Sequence, residues 1–80
     1  MNLKVEDIEN PPGFITHTLV SSDETPRRAK VTRYTTGYGV SFQNNERAVP
    51  VFHNMPSYTK QRALKAAKMF VREGVEEGAP

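Results

Sequence analysis

The stretch Tyr58-Thr59-Lys60-Gln61-Arg62-Ala63-Leu64-Lys65-Ala66-Ala67-Lys68-Met69-Phe70-Val71-Arg72 decides the fold. It is dense in strong helix formers and free of Gly and Pro. At about 100° per residue, Ala63, Leu64, Ala66, Ala67, Phe70 and Val71 fall on one broad face. Arg62, Lys65, Lys68 and Arg72 fall on the opposite one, so the segment reads as an amphipathic helix with a basic outer stripe. Pro56 forbids an earlier helix, Ser57 can cap it and Gly74 can stop it. Its alanines allow close approach to whatever it covers.

The residues upstream supply a surface to cover. Phe14–Val20 is rich in β-branched and aromatic residues, and reads as a strand. A polar loop, Ser21–Pro26, leads to a second strand over Arg28–Thr35. Thr36-Gly37 is a tight turn into a third strand, Tyr38–Gln43. Asn44–Arg47 turns again into a fourth, Ala48–His53, whose Pro50 places it at a sheet edge. Side chains two apart share a face. Ala29, Val31, Tyr38, Val40, Phe42, Val49 and Val51 then form the core face, with Phe42 and Phe70 as its anchors. Arg28, Lys30, Thr32, Tyr34, Ser41 and Gln43 form the open one, polar and basic, as in a half-covered antiparallel sheet.

The expectation is therefore an α+β fold. It is a single small domain with an antiparallel sheet of three to four strands and one C-terminal amphipathic helix packed on one face. Residues 1–13 are an acidic leader or arm, 14–74 the ββββα domain and 75–80 a frayed tail. The leader ends in Asn10-Pro11-Pro12-Gly13, a breaker, and reads as an extended arm, one helical turn, or an edge strand through Leu3-Lys4-Val5.

Eighty residues bury a thin core. The absence of cysteine removes disulfides, thiolate metal sites and a thiol nucleophile, and favours a reducing compartment. No apolar signal segment or spanning run is present, so the expected location is cytoplasmic, or host cytoplasm for a viral protein, with no membrane partner. Charge is unevenly spread. Residues 1–12 hold one Lys and three acids, whereas 13–56 and 57–80 each hold five basic and three acidic groups.

Catalytic patterns are missing. His17 and His53 belong to no metal-ligand spacing, and Ser21, Ser22, Ser41 and Ser57 to no nucleophile elbow. Gly37-Tyr38-Gly39 sits at a hairpin turn, where it does not cradle a phosphate. The expectation is a non-enzyme without catalytic residues, cofactor or metal. Binding is better served. Arg27, Arg28, Lys30, Arg33 and Tyr34 crowd one strand, with Tyr38 across the turn. Arginine forks to phosphates and guanine edges, and a small sheet can enter a major groove. The expected binding residues are Arg28, Lys30, Thr32, Arg33, Tyr34, Ser41 and Gln43, with Arg62, Lys65, Lys68 and Arg72 as a secondary basic stripe.

Residues 33–70 resemble the three-strand-plus-helix modules of phage integrase arm-binding domains and of plant AP2 domains. The resemblance is carried by Arg33-Tyr34, Gly37-Tyr38-Gly39-Val40-Ser41-Phe42, Asn45-Glu46-Arg47, Val51-Phe52 and Thr59-Lys60-Gln61-Arg62-Ala63. It implies DNA reading by the outer sheet face, through Arg28, Lys30, Thr32, Tyr34, Ser41 and Gln43. Two features depart from the pattern: Tyr38 stands where a larger aromatic is usual, and the third strand carries few charges. The competing expectation is a phage-type accessory protein that inhibits a host machine, as an anti-CRISPR or host enzyme inhibitor, by protein contact through exposed aromatic or apolar groups such as Tyr34, Tyr38, Tyr58 or Met69. Partners are thus DNA or an acidic host protein, and homodimerisation through edge strands or helix faces is a third expectation.

Overall fold

The computed structural model describes residues 2–9, 12–13, 15–34, 37–55 and 59–76. Five strands, β1 (Lys4–Glu9), β2 (Ile15–Ser22), β3 (Thr25–Tyr34), β4 (Gly37–Gln43) and β5 (Val51–Met55), precede one helix, α1 (Lys60–Glu73). The strands form one antiparallel sheet in sequence order, β1-β2-β3-β4-β5. The α+β arrangement and the C-terminal helix are as the sequence indicates. The strand count is higher than expected, because residues 4–9 take up the edge-strand option and pair with β2, Val5 opposite Val20 and Asp7 opposite Thr18.

The β2–β3 connection is tighter than the expected six-residue loop. Ser22 pairs with Thr25, leaving Asp23 and Glu24 as a two-residue turn. Pro26 is tolerated inside β3 because the β2–β3 register shifts beside it, between Val20 and Ser22, and the β4 ladder starts only at Arg28. The expected Ala48–His53 strand begins later, at Val51, directly after Pro50. Its edge position holds. Phe14, Thr35, Thr36, Ser57 and Tyr58 lie outside the described residues.

Helix α1 is capped by Thr59, two residues after the expected Ser57. Its hydroxyl accepts from the Arg62 backbone N–H at 3.2 Å, as an N-cap should. Gly74 ends it in the left-handed conformation (φ 72°), its N–H donating to Phe70 O at 2.8 Å. The buried face of α1, Ala63, Ala66, Ala67, Phe70 and Val71, lies on Val20, Ala29, Val31, Val40 and Phe42. Phe42 and Phe70 are both 1% exposed, with ring centroids 4.8 Å apart.

The helix rests on β2, β3 and β4, and among the described residues it does not reach β1 or β5. Both edge strands overhang. The expected core residue Val51 is paired opposite Phe42 on the helix side of the sheet, yet it is 43% exposed. Val5, its counterpart on β1, is 47% exposed. Val49 is no core residue either: it precedes the strand and is 84% exposed. Alternation fixed the side of the sheet correctly, but a 14-residue helix is too narrow to cover five strands.

Candidate functional site

Register sorts the expected binding residues between two surfaces. On β3, Arg28, Lys30, Thr32 and Tyr34 pair with Gln43, Ser41, Gly39 and Gly37 of β4. These stand on the open face. Arg33 pairs with Tyr38, whose ring packs against the core, so Arg33 has helix-side parity and leaves the open-face group. The sequence reading placed it with Arg28 and Lys30 by proximity in the chain; a period of two forbids that.

Arg27 is also on the helix side, and its guanidinium is engaged through Nε and Nη2. Nε donates to Phe70 O at 3.0 Å, and Nη2 donates to Val71 O and Arg72 O, both at 2.9 Å. These are last-turn carbonyls of α1 at the negative end of the helix dipole; Phe70 O also accepts from the capping Gly74 N–H. Arg27 therefore closes the helix C-terminus from the sheet, as a structural cation.

The open face is less basic than its sequence. Arg28 Nη2 donates to Glu46 Oε1 at 3.2 Å in an ion pair, while its Nε is buried without a hydrogen-bond partner. Gln43 Nε2 donates to Ala48 O at 3.0 Å and Glu46 O at 3.3 Å, which ties the β4–β5 loop to the sheet. On the overhanging β1 wing, Lys4 Nζ pairs with Asp23 Oδ1 at 2.9 Å, and exposed Glu6 stands opposite Leu19. Between them lies a shallow depression of about 220 Å³ lined by Ile8, Leu19, Arg28, Lys30, Ser41 and Gln43. Lys30 is exposed and, among the described residues, has no ion pair or hydrogen bond. The open face thus carries one uncommitted cation, with Thr32 and Ser41 half-buried and Tyr34 38% exposed.

The outer face of α1 differs. Gln61, Lys65, Lys68 and Arg72 line one strip on the side away from the core, with Leu64 beside them. Arg62 is exposed on the adjoining flank. From Lys60 to Arg72 the helix contains no acid; Glu73 is its first. Lys65, Lys68 and Arg72 follow at spacings of three and four, so they stack over about 10 Å of helix axis. Met69, expected at the polar side, is half-buried.

Among the described residues no three His, Cys, Asp or Glu side chains gather at metal-binding distance, and no helix is long and apolar enough to cross a membrane. Set against family models, curated proteins and solved structures, the chain matches none.

Proposed function

We propose that this chain is a small basic binding protein that engages the phosphate backbone of DNA, with the outer face of α1 as its principal contact. The single observation that carries the reading is the acid-free strip Lys65, Lys68 and Arg72, flanked by Arg62. Lys65, Lys68 and Arg72 have no ion pair among the described residues, and such a row of cations attracts a polyanion and releases its counterions. Choosing the helix over the open sheet follows from the partners of Arg28 and Gln43, which are spent inside the molecule. Apart from its cations, the strip's exposed polar reader is Gln61, so recognition is chiefly of phosphates.

A fluorescence-anisotropy titration with a random-sequence duplex, at low and at physiological salt, tests this. Each phosphate neutralised contributes about −0.9 to the slope of log K against log salt, so three contacts give roughly −3. Absence of binding at low salt would reject the proposal.

A protein partner is the second reading, favoured by the exposed run Val49, Pro50 and Val51 entering the edge strand β5. It keeps alive the expectation of an inhibitor acting by protein contact. A salt-insensitive complex that is lost on Val49→Asp and Val51→Asp substitution, with DNA binding absent, would favour it.

A further inference from the structure

A second cationic feature lies away from the strip, where the N-terminal end of α1 meets β2, β3 and β4. Thr16, His17, Thr18, Val31, Arg33, Tyr38 and Lys60 line a cleft of about 80 Å³. One water takes roughly 30 Å³ of liquid, and a drug-sized ligand needs about 300 Å³ or more, so the cleft suits a group of a few heavy atoms.

Its polar groups divide into a fixed wall and free donors. Thr16 Oγ1 donates to Ile8 O at 3.1 Å, and Thr18 Oγ1 donates to Asp7 Oδ1 at 2.7 Å. Those two hydroxyls are held by β1 and form the wall. Arg33 and Lys60 enter the same cleft, and among the described residues neither has an ion pair or hydrogen bond. Tyr38 adds a phenol. The nearby carboxylate, Asp7, is held by Thr18 and does not line the cleft.

Lys60 also stands at the wrong end of its helix. The first turn of α1 contains no acid, although the dipole there favours negative charge. Two cations beside a positive helix end repel one another unless an anion lies between them.

We infer that this cleft is a binding site for a single phosphate group, held by Arg33 on one side and Lys60 on the other, with Tyr38 as a hydrogen-bond donor. Arginine offers a planar fork to a tetrahedral oxyanion and lysine a point charge. The site is independent of the proposed DNA strip: Lys60 lies off the line of Lys65, Lys68 and Arg72, and either can fail without the other.

Inorganic phosphate is the first probe, titrated into the labelled full chain at constant ionic strength with chloride, and followed by backbone amide shifts. Saturable shifts confined to Thr16–Thr18, Arg33, Tyr38 and Lys60 are expected. Arg33→Gln and Lys60→Gln should each weaken binding about tenfold, because a hydrogen bond to a charged group is lost. Unchanged amide dispersion in those variants would show that the fold persists. The Lys65→Gln/Lys68→Gln/Arg72→Gln variant should bind phosphate as the parent does. A dinucleotide with and without a 5′-phosphate then separates the sources. Preference for the phosphorylated form assigns the cleft to nucleic-acid ends, and saturation by inorganic phosphate alone assigns it to the free ion; both support the site. Shifts that never saturate, or that map to the helix strip, overturn it.

Discussion

The open face of the sheet and the outer face of α1 hold similar numbers of basic residues in the sequence, but they present them differently. On the open face, Arg28 pairs with Glu46 and Lys4 pairs with Asp23. Lys30 is left. On the helix, Lys65, Lys68 and Arg72 meet no acid along thirteen residues of chain. The difference teaches that charge in a sequence becomes charge on a surface only after the fold has taken what it needs. A sheet with two hairpin turns of Asp, Glu and Asn brings acids to its strand ends, whereas among the described residues no acid pairs with Lys65, Lys68 or Arg72 on the helix outer face.

The largest effect that can be imposed on this contrast removes both faces together. Phe70→Ala empties the contact with Phe42 at the centre of the core and should cost roughly 3–5 kcal/mol, read by chemical denaturation. For so small a domain that is close to its whole stability. A variant that unfolds at the parent's midpoint would refute the helix–sheet packing.

Arg27→Ala comes next. It strips the last-turn carbonyls of three charge-assisted donors and should destabilise the fold by roughly 2 kcal/mol. Partner binding, corrected for the unfolded fraction, should not change. If thermal stability held and binding fell, Arg27 would belong to the functional surface and the contrast between the faces would weaken.

Gly74→Ala forces a left-handed φ on a residue with a Cβ, although the space around it is ordinary, and about 1 kcal/mol is expected from thermal melting. The smallest effect belongs to Glu46→Gln. The Arg28–Glu46 pair is largely exposed on the Glu46 side, so breaking it should cost only a few tenths of a kcal/mol. It should, however, free Arg28 on the open face. Stronger DNA binding by this variant would sharpen the claim that the sheet is silent because its cations are paired.

Much of the fold could be read in advance, for physical reasons that are specific. Period-two alternation put Ala29, Val31, Val40 and Phe42 on one side, and the helical period put Ala63, Ala66, Ala67, Phe70 and Val71 against them. Gly74 was legible because its conformational freedom is uncommon. Coverage was not legible. Val5 and Val51 have the right parity and still face solvent, because the width of one helix is a property of the assembled layers. The role of Arg27 was hidden for a similar reason: its partners are 43 to 45 residues away in the chain. The placement of Arg33 was recoverable, since it follows Thr32 and must point the other way.

One comparison tests the central claim most directly. Two variants of matched charge loss, Lys65→Gln/Lys68→Gln and Arg28→Gln/Lys30→Gln, are titrated beside the parent against the same random-sequence duplex at low salt. The helix variant should lose most of its affinity and reduce the salt slope by about 2, one unit short of the parent's three contacts, while the sheet variant keeps the parent's slope within about 1. Equal losses in both, or a loss confined to the sheet variant, would contradict the assignment of binding to the outer face of α1.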